Sequence, residues 1–150
     1  SEPYVVHLDR VVEVMRSVGI NDHDVLVAGL LHDTIEDTDV CRSDVVEQFG
    51  ERVAAMVDAV SDGEGKDRAE RKERPYGMIP NTEGAVLVKL ADRIANVSSA
   101  VETAVHRHLR RYVREAEHFH SVLYRSGEAD ILWEKLADIM AQAESLLDAN

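Results

Sequence analysis

The sequence predicts an all-α fold, a compact multi-helix bundle. Three observations carry that expectation. Apolar residues recur at three- and four-residue steps along most of the chain. Only 8 Gly and 3 Pro interrupt 150 residues, so helix breakers are few. Val86-Leu87-Val88 suits a strand by propensity, yet Val86, Leu90, Ile94 and Val97 keep helical spacing. A chain of this length supports one core, so residues 1–150 are expected to form a single domain.

The elements follow in order. Val5, Leu8, Val11, Val12, Met15 and Val18 mark a first helix, with Pro3 suited to its first turn and Gly19 ending it. Asn21 or Asp22 can cap a second helix through 25–31. That run is apolar on nearly every side, so this helix is expected to be central and buried. A loop around 37–39 follows. Ser43, with Glu47 nearby, opens a short helix that stops at Gly50, and residues 52–60 form another. Residues 63–83 change character: glycines and prolines bracket a charged stretch over 66–74. The expectation there is a loop holding one short exposed helix. A helix from Ala85 to about Val105 comes next, then helices over about 107–125 and 129–149, parted by Ser126-Gly127.

Composition excludes several classes. Acids number 29 against 17 bases, a net charge of −12. That argues against a nucleic-acid binder relying on a basic surface, and against docking on an anionic membrane. The lone Cys41 leaves no disulfide framework and no cysteine-rich zinc site, and it lacks a nearby activating His. No apolar run approaches the roughly 18 residues that span a bilayer, and no signal peptide is visible. The expected setting is a reducing, cytoplasmic one. Nothing in the sequence sets an oligomeric state.

The strongest chemical signal is His32-Asp33 followed by Glu36-Asp37. On a helix, His32 and Glu36 are four apart, as are Asp33 and Asp37, so four ionisable groups share one stripe of a greasy helix. Burying such charges costs several kcal/mol unless they are paired or hold a metal. Imidazole with carboxylates suits Mn, Fe or Zn better than Ca. Partners would come from other apolar helices: His7 among Val5, Val6 and Leu8, and Asp92 within Lys89-Leu90-Ala91-Asp92-Arg93, with Asn96 one turn on. His106, His108, His118 and His120 do not make a second site. Each pair is two apart and diverges by about 200° on a helix, so all four are expected on the surface. His23 is also expected to be exposed, and Trp133, with Leu132, Leu136 and Met140, to be core.

The order His7…His32-Asp33…Asp92 resembles the HD-domain metal-dependent phosphohydrolases. The resemblance is closer to one branch, the (p)ppGpp hydrolase domain of Rel/SpoT-type enzymes and small alarmone hydrolases. It rests on Pro3-Tyr4-Val5-Val6-His7, on Leu30-Leu31-His32-Asp33-Thr34-Ile35-Glu36-Asp37-Thr38-Asp39, on Phe49-Gly50, and on Val88-Lys89-Leu90-Ala91-Asp92-Arg93-Ile94-Ala95-Asn96. Glu70-Arg71-Lys72 is similar to a basic stretch between the two halves of that domain.

The resemblance implies an HD-domain bundle holding Mn2+ on His7, His32, Asp33 and Asp92. It implies hydrolysis of the 3′-pyrophosphate of (p)ppGpp to GDP or GTP and pyrophosphate, a stringent-response activity. Glu36 and Asp37 would orient and deprotonate the attacking water, and Asn96 would bond to that water or the ribose. Arg71, Lys72 and Lys89 are the cations expected to meet the small nucleotide substrate, since an acidic protein needs local positive charge to hold a polyanion. A general HD-type nucleotide phosphohydrolase and a non-catalytic nucleotide sensor are the competing readings. Two departures stand out. Leu8 follows His7 where the family usually has Pro, and the chain begins at Ser1, where the family carries a further helix with nucleotide contacts. The guanine pocket is accordingly expected to be incomplete or the sequence trimmed. From about His106 the chain matches the alarmone hydrolases poorly, and a structural role is expected there.

Overall fold

A computed structural model describes residues 4–36 and 41–149, and the side chains of 10–33 and 41–149. All regular structure among them is helical: α1 (Tyr4–Ser17), α2 (His23–Glu36), α3 (Arg42–Phe49), α4 (Glu51–Val60), α5 (Arg68–Met78), α6 (Ala85–Thr103), α7 (His106–Leu123) and α8 (Asp130–Asp148), with a 3-10 turn at Ile79–Asn81 between α5 and α6. The breaks fall where local chemistry demands them. Gly19 ends α1 at φ 83° and Gly50 separates α3 from α4 at φ 93°, in the left-handed half of the map that favours glycine. Asp22 caps α2: its Oδ1 accepts from the Asp24 amide at 3.0 Å. Cys41, not Ser43, stands before α3, and its amide donates to Asp44 Oδ2 at 3.1 Å.

The central place goes to α6 rather than α2. Helix α6 packs against α1, α2, α4, α7 and α8. Small residues Ala85, Ala91, Ala95 and Ala100, all buried, let those neighbours approach from several sides. Helix α2 buries Val25, Ala28 and His32 but leaves Leu30 40% exposed. Its apolar run therefore covers one broad face and spills onto a second. The close approach of α1 to α2 depends on Gly29, where a Cβ would lie 2.7 Å from Met15 Cε. Helix α1, which carries His7, thus lies against both α2 and α6.

Residues 63–83 are more ordered and more buried than expected. Helix α5 runs 11 residues through Pro75, which is buried, as is Ile79 beyond it. Proline has no N–H to give the carbonyl four residues back. That carbonyl, on Arg71, instead accepts from the Gly63 amide at 2.9 Å. The proline therefore ties the 63–65 loop to the helix. The charges are paired as well: Arg68 with Glu115, Lys72 with Asp62 and Arg74 with Asp58, each at 2.7 Å.

Candidate metal centre and adjoining cavity

His32 sits in the last turns of α2, and Asp92 lies midway along α6. Packing of α2 on α6 brings them together although sixty residues separate them. His32 Nδ1 lies 2.8 Å from the Gly29 carbonyl, one turn back on its own helix. Only a protonated Nδ1 can donate there, so the second nitrogen is turned outward. That nitrogen, Nε2, is 3.2 Å from Asp33 Oδ1 and 3.2 Å from Asp92 Oδ1. Burial pushes the imidazole towards neutrality, but the Asp92 and Asp33 carboxylates outweigh it and raise its pKa to about 9. Two carboxylates facing one buried ring nitrogen call for a positive charge between them: a proton, or a cation.

The donor set fits a divalent cation. Three ligand atoms, one from each of His32, Asp33 and Asp92, lie within 4.8 Å of one another. Ligands bound about 2.0–2.2 Å from one ion are themselves at most about 4.4 Å apart, so a small contraction closes this set. One imidazole nitrogen and two carboxylate oxygens suit Mn, Fe or Zn. The Gly29 carbonyl on Nδ1 is the outer contact that metal-binding histidines use to fix their tautomer.

Around this triad the structure places several of the other expected residues. Asn96 Nδ2 lies 3.4 Å from Asp92 Oδ2. Lys89 Nζ lies 3.9 Å from the same oxygen, with its side chain 9% exposed. Burial pushes the Lys89 ammonium down to about 8; Asp92 opposes that, and the nearby Lys72 charge adds to it. Lys72 itself reaches Asp62 Oδ1 at 2.7 Å. Lys72 and Lys89 therefore form a cationic edge beside the triad. Arg71, half-buried on α5, is the one expected cation that the described contacts do not place there. The side chains of His7 and Glu36, and all of Asp37, lie outside the described residues.

Lys72 also lines a cavity of about 680 Å3 between α5 and α7. Arg68, Arg111, Arg114, Tyr76 and His118 share its wall. His118 meets Tyr76 edge to face, ring centroids 5.0 Å apart. Arg111 Nε is buried with no hydrogen-bond partner among the described residues. Sequence reasoning assigns His118 to the surface and gives it no site. It is exposed, as expected, but what it borders is a concave, cationic wall.

A model of the family described as "HD domain" matches residues 1–123. The chain belongs to the HD-domain family. This HD domain is 39% identical over 102 residues to the guanosine-3′,5′-bis(diphosphate) 3′-pyrophosphohydrolase of Aquifex aeolicus, covering 65% of this chain and 14% of that protein. It is 40% identical over 97 residues to the same-named MESH1 enzyme of Mus musculus, covering 63% of this chain and 54% of the relative. The chain thus spans about half, or much less, of the length of these curated relatives. Among solved structures it is similar to a metazoan ortholog of SpoT described as hydrolysing ppGpp, with TM-score 0.76 and 32% identity over 93% of this chain and 81% of that one. A Listeria monocytogenes protein, lmo0812, shares the fold at TM-score 0.71 and 21% identity, covering 93% of this chain and 99% of that one. Identity to the Aquifex and mouse relatives spans only 97–102 residues, while the fold likeness covers 93% of the chain, and α7 forms one wall of the large cavity. No helix among the described residues is long and apolar enough to cross a membrane.

Proposed function

We propose that this HD domain is a Mn2+-dependent hydrolase that removes the 3′-pyrophosphate of (p)ppGpp. The observation that carries this is the partly buried His32–Asp33–Asp92 cluster with Lys89 and Lys72 at its edge. Anionic ligands converge where an ion is needed, and cations follow where a diphosphate would lie. Relatives named for this reaction, at 39–40% identity, support the substrate class.

In this reading His32 Nε2, Asp33 and Asp92 hold the ion together with His7. A bound divalent ion lowers the pKa of water and neutralises charge developing on phosphate. Glu36 and Asp37 orient the attacking water and take its proton. Asn96 keeps Asp92 in place and reaches the ribose or the water. Lys89, Lys72 and Arg71 meet the 3′-diphosphate, and the cavity bearing Arg68, Arg111 and Arg114 takes the nucleotide's remaining phosphates. Water adds to the phosphorus at the 3′ oxygen, the P–O bond to the ribose side breaks, and pyrophosphate leaves with GDP or GTP as the other product. The activity resides in one domain over 1–150 and belongs to the cytoplasm, where its nucleotide substrate is.

The test is product release from a nucleotide panel with Mn2+ and after chelation. Pyrophosphate from ppGpp, dependent on Mn2+ and lost in Asp33→Ala, is expected. Orthophosphate from other nucleotides, with ppGpp inert, would replace this reading with a general phosphohydrolase. Tight nucleotide binding without turnover would make the domain a sensor.

A further inference from the structure

A second cavity lies between α7 and α8, with Arg93 of α6 at its wall, and has a volume of about 180 Å3. Its wall includes Phe119, Leu136 and Met140, all buried, together with Arg93, His120 and Trp133. An apolar cavity of about 150 Å3 is enough to hold a benzene ring. This one differs from a simple packing void in its polar content. Trp133 is 8% exposed, and its Nε1 is buried with no hydrogen-bond partner among the described residues. A buried donor left unmatched is destabilising, and native folds rarely leave one without an acceptor. The indole is otherwise held firmly, with Phe119, His120 and Tyr124 against it edge to face at centroid distances of 5.7, 5.2 and 5.6 Å.

The second polar feature is Arg93. Its guanidinium carbon sits 4.3 Å from the Phe119 ring centre and 5.0 Å from that of Tyr112. Its Nη1 reaches Glu115 Oε1 at 3.0 Å, and Arg68 Nε holds the other oxygen of that carboxylate at 2.7 Å. Two guanidinium groups thus share one carboxylate, so Glu115 answers Arg93 with only part of its charge. The cavity offers an unmatched N–H donor, a guanidinium that shares its carboxylate with a second arginine, and aromatic and aliphatic walls. What complements all three is a flat apolar ring bearing an anionic acceptor.

We propose that the α7–α8 cavity binds a monocyclic aromatic carboxylate, whose oxygen accepts from Trp133 Nε1 and whose charge is set against Arg93. The site does not rest on the hydrolase reading: none of its lining residues belongs to the triad or the large cavity, and the two cavities meet through Glu115, which pairs with Arg93.

Trp133 is the sole tryptophan, so a nitrogen-15-labelled protein gives a single indole N–H signal to follow. Benzoate is the probe. The expected result is a saturable downfield movement of that signal, as the N–H acquires an acceptor. Benzyl alcohol, with the same ring and no charge, should bind at least about tenfold more weakly. Ala116→Leu, which fills the cavity from α7, should weaken benzoate binding at least about tenfold. Ala137 is exposed at the cavity wall, so Ala137→Leu supplies the same comparison should Ala116→Leu fail to fold. A signal that stays put or drifts linearly with benzoate overturns the proposal, as does unchanged affinity in a folded cavity-filling variant. Equal binding of benzyl alcohol overturns the assignment of a carboxylate.

Discussion

Asp92 is the residue on which most of the site's contacts meet. One oxygen faces His32, while the other faces Asn96 and Lys89. Asn96 has no charge to contribute, so its effect runs through the orientation of Asp92. Loss of such an outer contact typically costs 10–100-fold in metal affinity or activity. Asn96→Ala is therefore expected to weaken Mn2+ binding by about tenfold in a calorimetric titration, with the fold intact. Wild-type affinity in that variant would remove Asn96 from the site. Glu115 bears a different load, joining Arg93 and Arg68. Burial raises its pKa, but its hydrogen bond to Arg68 and the charge of Arg93 prevail, and the carboxyl lies below its ordinary 4.5. A depressed folded-state pKa stabilises the fold above the unfolded value and loses that contribution as pH falls through the folded one. Glu115→Gln should cost about 1–3 kcal/mol at neutral pH by denaturant titration. The gap from wild type should narrow as pH drops below 4.5; a gap independent of pH would mean that packing, not charge, sets the cost. His32, Asp33 and Asp92 are legible in the sequence because each is an ionisable group on an apolar helix, a conflict needing resolution. Arg111, Arg114 and His118 lie on a polar helix where charge conflicts with nothing, so no signal marks them.

At the scale of elements, α6 governs the geometry, and its start is set by Gly84. Gly84 has φ +80°, and a Cβ there would lie 2.7 Å from Sδ of the fully buried Met56. A left-handed residue other than glycine costs about 1–2 kcal/mol, and displacing Met56 adds to it. Gly84→Ala should lose about 2 kcal/mol, roughly 4–8 °C in Tm for a chain of this size. A calorimetric Tm within a degree of wild type would show that the turn relaxes freely. The helical period by itself reveals the helices over 85–105, 107–125 and 129–149, because their apolar stripes are long. A helix within the charged stretch is expected and found, but its run through Pro75 to Met78 is unexpected. Pro75 reads as a breaker in sequence, and only the Gly63 amide, brought there by tertiary packing, gives the freed Arg71 carbonyl a partner. Sequence reasoning puts α2 at the centre. Hydrophobic content predicts burial, but it does not say how many neighbours a helix has.

For the whole molecule, the candidate metal links helices distant in sequence. Asp33 and His32 belong to α2 and Asp92 to α6, so an ion bound by all three clamps two packed helices that the unfolded chain cannot hold together. Whatever binds only the folded state stabilises it by mass action, about 2.7 kcal/mol at a hundredfold excess over Kd. For a protein of this size that corresponds to roughly 5–11 °C in Tm. Metal-free protein scanned with and without Mn2+ should show a rise of this order, and Ca2+ should give a much smaller one, since the imidazole is a poor ligand for it. Asp92→Ala should abolish the rise while keeping a cooperative transition, because Asp92 contributes one end of the clamp. A Mn2+-induced rise that survives in Asp92→Ala would place the ion elsewhere in the molecule. No rise in the wild-type protein would mean that the carboxylates around His32 are balanced by its own proton, and the hydrolase reading would lose its centre.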